Sequence, residues 1–187
     1  MKQLSSRVVY TNPWMTVRED EIELLDGTTG IYGVIEKSDF AVVLPRGDGG
    51  FWMVEQFRYA IGRRAWEFPQ GTWTHGMSGT TVELAHAELN EETGLRAAVM
   101  ERLGRLTQAH GHSTQEFDVF LASGLSEGEP SREVSEMDMI HRFVPDSEIL
   151  EMARTGALAD STSLAALALY WATSGAPVGV SGGDPVR

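Results

Sequence analysis

The sequence predicts a layered domain of the α+β or α/β class, and three observations predict it. Strand-like runs fill the first third of the chain. A helix with a threonine at its start and a glycine at its end follows near residue 80. Strand signals then return before two C-terminal helical stretches, so strands and helices mix along a chain of 187 residues. That length holds one good core and at most a small appendage.

The elements follow in order. Thr16 to Leu25 is polar with an apolar end, Asp26-Gly27 signals a turn, and Gly30 to Ile35 returns as a hairpin partner. Phe40-Ala41-Val42-Val43-Leu44 is a continuous apolar run, as a buried strand requires. Gly47 to Gly50 turns the chain, and Phe51 to Phe57 alternates between two faces. A short strand around Trp66-Glu67-Phe68 ends at Pro69, and a loop runs from Gly71 to Gly79. Thr80 and Glu83 have the spacing of a capping box; the helix they open reaches Thr93 and stops at Gly94. Val82, Ala85 and Leu89 make its expected apolar face. Strands are predicted within Ala97–Leu106, Gln115–Ala122 and Met139–Val144, with a polar loop over Ser123–Arg132. Pro145–Arg154 and Ser161–Trp171 read as helices, and the Gly- and Pro-rich tail from Ser174 as flexible.

Composition excludes several classes of function. The net charge is -12, from 15 Lys+Arg against 27 Asp+Glu, so the global field opposes binding to nucleic acid or to an anionic membrane. An anionic substrate then needs local neutralisation by arginine or a metal. With Cys 0, disulfides, thiolate metal sites and cysteine nucleophiles are excluded. Met1 to Arg7 has no signal-peptide core, and Leu164 to Ala172 is too short to span a bilayer. The expectation is a soluble, cytoplasmic protein with no nucleic-acid partner and no membrane.

One constellation carries chemistry. In Glu88-Leu89-Asn90-Glu91-Glu92-Thr93-Gly94-Leu95, the helical period places Glu88, Glu91 and Glu92 on one side. Such a run is also what a solvated acidic face looks like. The surroundings favour a site: a strand, a loop and a capped helix aim the carboxylates at one place. Crowded carboxylates call for a cation, and Mg²⁺ binds a few carboxylates together with substrate phosphates.

These residues resemble the Nudix signature: a glycine, five residues, a glutamate, seven residues, then Arg-Glu-aliphatic-X-Glu-Glu-X-Gly-aliphatic. Glu88, Leu89, Glu91, Glu92, Gly94 and Leu95 match. The first half departs: Ala87 stands at the arginine, Gly79 at the early glutamate and Trp73 at the glycine, with Gly71 the displaced counterpart. Gln56-Phe57-Arg58-Tyr59-Ala60 and Trp66-Glu67-Phe68-Pro69-Gln70-Gly71 resemble the ADP-ribose pyrophosphatases and related nucleoside diphosphate sugar hydrolases, as does Ala159 to Leu167.

The resemblance implies an α+β protein: an α/β/α layered fold with a mixed sheet, over residues 39–173, preceded by a small antiparallel β subdomain over residues 1–38. The remainder, 174–187, is a tail. It implies Mg²⁺ or Mn²⁺ held by Glu88, Glu91, Glu92 and the backbone carbonyl of Gln70, with Glu91 also a catalytic residue. Arg58 is expected to reach the substrate diphosphate, and Glu67 to bind substrate or brace the loop. Trp66, Phe57 and Tyr59 read as core or as stacking groups, and Arg63 and Arg64 as surface cations. The base is expected on the acidic loop before the last strand, which offers Glu133, Glu136 and Asp138; Glu136 is the choice. His110 and His112 read as loop residues. The first forty residues are too thin for a core of their own, which points to a homodimer. The expected reaction is hydrolysis of a nucleoside diphosphate derivative, ADP-ribose first. The alternative is a catalytically weak module that binds or senses a nucleotide, motivated by Ala87 and Gly79.

Overall fold

The structure is a computed structural model; it describes residues 1–73, 77–132 and 134–175, the side chain of Ser135 excepted. Strands β1 (Lys2–Asn12), β2 (Met15–Glu23) and β3 (Thr29–Glu36) form an antiparallel sheet in that order. Strand β1 is absent from the sequence reading. Its Ser, Arg and Gln residues give no clear alternation, and pairing along β2 is what holds it extended. Only Asp20 and Ile22 of this sheet are buried.

A second, mixed sheet is the frame of the domain. It contains β4 (Phe40–Gly47), β5 (Gly50–Arg58), β6 (Arg63–Glu67), β7 (Gln70–Gly71), β8 (Arg96–Thr107), β9 (Glu116–Ser126) and β10 (Ile140–Pro145). Its main order is β10-β5-β4-β9-β8, with β6 beside β5 and β7 beside β4. The pairing of β4 with β9 is parallel, and the other pairings are antiparallel. Strand β9 runs on through Ser126, where a loop was expected, because β8 pairs with it to its end.

The period of two along β4 assigns the layers. Phe40, Val42 and Leu44 face one side, with Phe68, Phe117 and Val119. There they meet helices α2 (Asp146–Thr155) and α3 (Ser161–Ser174) through Ile149, Met152, Ala166 and Leu167. Ala41 and Val43 face the other side, with Phe120 and Ala122, and meet helix α1 (Thr81–Thr93) through Leu84, Ala85 and Leu89. A continuous apolar run is thus what a strand covered on both faces needs. Val82 does not belong to the inward face; it is exposed, and Leu84 takes its place. Residue 174 closes α3, and the expected tail from 176 onward lies outside the described residues.

The loop carrying His110 and His112 ties the two sheets together. Ile35 N–H donates to the His112 carbonyl at 2.8 Å, and Thr114 N–H to the Ile35 carbonyl at 3.0 Å. The Tyr32 hydroxyl donates to the Gly111 carbonyl. Among the described residues, no helix is long and apolar enough to cross a membrane.

Candidate active site

Helix α1 begins as the sequence predicts. The Thr80 hydroxyl accepts from Glu83 N–H at 3.3 Å, and the Glu83 carboxylate accepts from Thr80 N–H at 2.8 Å. Gly94 closes the helix in the left-handed region, at φ 76°. Between these caps Glu88 and Glu91 are half-buried and Glu92 is buried.

Glu92 is 1% exposed, and among the described residues neither of its carboxylate oxygens has a hydrogen-bond partner. Burial pushes its pKa well above the ordinary carboxylate range; Glu88, Glu136 and Glu67 push it further, and Arg58 opposes them. An anion in a dry place without a partner is costly. These charges come from α1, β5, β6 and the segment before β10.

Glu88 lies against β7. A Cβ on Gly71 would stand 2.5 Å from the Glu88 Cδ, so only glycine admits the carboxylate there. The backbone next to it belongs to Gln70. Among the described residues, no three carboxylate or imidazole groups form a ready-made metal cage. The orphaned oxygens of Glu92 and the carboxylate cradled on β7 nevertheless fit a hard divalent cation.

Glu67 is 2% exposed and fully engaged. It accepts from Gln56 Nε2 at 2.7 Å, from Arg58 Nε at 3.1 Å and Nη2 at 2.6 Å, and from Gln70 Nε2 at 3.2 Å. Burial raises its pKa, against the pull of Arg58. The Arg58 side chain, two-pronged on Glu67, is still 40% exposed. The Gln70 amide also donates to Asp160 Oδ2 at 3.2 Å. Asp160 caps α3 by accepting from Ser163 N–H at 2.8 Å and from its hydroxyl at 2.7 Å. That hydroxyl in turn accepts from Phe68 N–H at 2.8 Å. One network therefore fixes the Glu67–Gly71 turn from the N-terminus of α3. Trp66 packs against the core, whereas Phe57 and Tyr59 are exposed.

The acidic segment before β10 places Glu136, half-buried, in a short 3₁₀ turn over Val134–Glu136. Asp138 is held by Arg64: Nη1 is 2.5 Å from its carboxylate, and Nη2 donates to its carbonyl at 3.0 Å. Arg64 also reaches Glu55 at 2.9 Å, so this exposed cation is engaged on both sides. Arg63 is exposed at the start of β6, and Glu133 lies outside the described residues.

The departures in the first half of the signature belong together. Trp73 packs on the α1 side of the core, and a Cβ on Gly79 would lie 2.8 Å from its Cζ2 and 3.0 Å from Glu83 Oε2. A large residue stands where the signature has glycine, and glycine where it has glutamate. The sizes are exchanged across one contact.

Sequence reasoning overlooked Arg132, Asp160 and Ser163 as site residues. The cap signal of Asp160 followed by Ser163 was legible. Arg132 left no local signal, because all its partners come from elsewhere in the chain.

The NUDIX domain matches residues 36–166, and the nucleoside diphosphate sugar hydrolase N-terminal domain matches residues 1–35. An ADP-ribose pyrophosphatase of Mycobacterium tuberculosis is 32% identical over 92% of this chain and 84% of its own length. One from Bacillus subtilis is 26% identical over 84% of this chain and 80% of its own length. The crystal structure of an ADP compounds hydrolase superposes with a TM-score of 0.78 at 18% identity, covering 94% of this chain and 97% of that one, and so shares the fold. With the domain matched across the frame that carries Glu88, Glu91 and Glu92, the chain belongs to the Nudix hydrolase family.

Proposed function

We propose that this Nudix hydrolase cleaves the diphosphate linkage of ADP-ribose, giving AMP and ribose 5-phosphate, with Mg²⁺ or Mn²⁺. The observation that carries the reading is the buried carboxylate of Glu92, without a partner among the described residues and under the charges of Glu88, Glu136, Glu67 and Arg58. The substrate is taken from the two pyrophosphatases that the chain resembles along most of its length.

Glu88, Glu91, Glu92 and the Gln70 carbonyl would hold the cation. When bound, the cation supplies charge neutralisation at the diphosphate and acidifies the attacking water. The exposed side of the Arg58 guanidinium donates to diphosphate oxygens, while Glu67 beneath it fixes the fork. Glu136 accepts the proton of the attacking water; its charge is among those that act on Glu92. The N-terminal unit, residues 1–38, is a dimerisation element. Val8, Tyr10 and Trp14 are 62%, 52% and 76% exposed on its sheet and the turn beside it.

Incubation with ADP-ribose and Mg²⁺, with products separated by chromatography, tests the reading. AMP and ribose 5-phosphate should appear, with higher kcat/KM than for other nucleotide sugars, dinucleoside polyphosphates or NADH. Ala87 and Gly79 motivate a second reading, a nucleotide sensor. Nucleotide binding that persists in chelator, with no hydrolysis at any Mg²⁺ level, would establish the sensor and overturn the enzyme.

A further inference from the structure

Arg132 stands where the loop after β9 enters the acidic segment. Its Nε–H donates to the Glu92 carbonyl at 2.9 Å. Its Nη1 donates to the Met139 carbonyl, and its Nη2 lies 2.8 Å from His141 Nδ1. Beside it, Ser131 N–H donates to the Glu91 carbonyl at 3.0 Å. One half-buried guanidinium thus joins the last turn of α1, the entrance of the acidic segment and its exit into β10.

The chemistry of each bond suits arginine. A guanidinium has only donors, so His141 Nδ1 must accept, and that imidazole is neutral with its proton on Nε2. Burial and the Arg132 charge both hold the His141 pKa below its ordinary value, against a weaker pull from Glu127. The last turn of α1 has no basic residue of its own. Arg132 brings a cation to those carbonyls from outside the helix, at the negative end of its dipole. Three acceptors in three directions match the planar fork and not the point charge of a lysine.

We propose that Arg132 is a positioning residue: it clasps the acidic segment shut and holds Glu136 against the carboxylates of α1. The proposal rests on the reading of Glu136 and Glu92 as working groups. Two observations support the clasp. Ser131 N–H and Arg132 both bond the last turn of α1, and the charge of Glu136 acts on Glu92 from the same side of the chain. The exit of the segment is pinned a second time, by Arg64 on Asp138.

The test compares Arg132→Met, which keeps the stem and removes the donors, with Arg132→Lys, which keeps the charge. Amide hydrogen exchange over residues 134–140 and steady-state kinetics with ADP-ribose are measured in each. In Arg132→Met, exchange over 134–140 should accelerate, while exchange in the first turns of α1 stays as in the parent. The kcat should fall roughly 10- to 100-fold, the range for groups that orient a catalytic or metal-binding residue. KM should change little, because Arg58 and Glu67 remain. In Arg132→Ala, added methylguanidinium should restore part of the kcat. Unchanged exchange with unchanged kcat overturns the proposal. So does a raised KM at constant kcat, which would make Arg132 a substrate contact. If Arg132→Met does not fold, Arg132→Lys decides, since it too should loosen the segment. A parent protein inactive on every diphosphate would refute the function proposed above, and the exchange comparison would still decide the clasp.

Discussion

Glu92 carries its carboxylate where water does not reach and no donor among the described residues replaces it. An acid whose pKa is raised by folding keeps its proton longer in the folded chain than in the unfolded one. Its contribution is therefore neutral below the ordinary carboxylate pKa, about 4.3, and becomes destabilising as pH rises above it. A divalent cation reverses that penalty by taking the place of the missing partner. Three results follow from one substitution, Glu92→Gln. In chelator, the variant should melt above the parent at pH 8 and lose that advantage near pH 4, with a slope of at most about 1.4 kcal/mol per pH unit. Mg²⁺ should raise the melting temperature of the parent and not of the variant. Turnover should fall by more than about 100-fold, beyond what loss of an outer-shell partner costs. An equal Mg²⁺-induced shift in both proteins, seen by calorimetry, removes Glu92 from the ligand set.

Helix α1 is a well-specified element in a frame with an altered brace. Its caps are satisfied at both ends, and its Leu84, Ala85 and Leu89 are buried under the sheet. Ahead of it Trp73 lies beside Gly79, in place of the signature's glycine and glutamate. Restoring the signature at one position alone should therefore harm the protein. Gly79→Glu should lose about 1–3 kcal/mol to overpacking against the indole. Trp73→Gly should also destabilise, by leaving a void beside α1. The double variant should be more stable than the sum of the two losses predicts, with a coupling of about 0.5–3 kcal/mol, the range for residues in contact. Urea midpoints at constant m-value measure it. Strict additivity would show that the two residues do not share a contact.

At the scale of the whole molecule, the N-terminal sheet is joined to the domain through the loop that holds His112, and it buries only Asp20 and Ile22 within the chain. Strand β1 lies at its edge, exposed along nearly its whole length. A long exposed edge with apolar side chains invites a partner strand or sheet. Sedimentation equilibrium should give twice the chain mass at micromolar concentration. Val8→Asp should shift the protein towards the monomer and reduce kcat/KM in parallel, if the subunits share their substrate sites. A parent monomer with full activity would rule out that sharing.

What the sequence determined is local. The Thr80–Glu83 box, the Gly94 stop and the spacing of Glu88, Glu91 and Glu92 are all set within one helix, where a period of 3.6 residues leaves no choice. The apolar run of β4 announced its burial for the same reason: each residue needs cover on its own face. Even the inward face of α1 was only partly legible, since choosing Leu84 over Val82 requires the angle at which the helix lies on the sheet. Tertiary structure decided which glutamate is dry, which acid of the segment is occupied by Arg64, and what holds the Gln70 turn to Asp160. Those pairings join residues far apart in the chain. They depend on the strand order β10-β5-β4-β9-β8, which brings the ends of β5, β7, β10 and α1 to one place. No spacing along the chain encodes that order, because it results from burying both faces of one sheet at once.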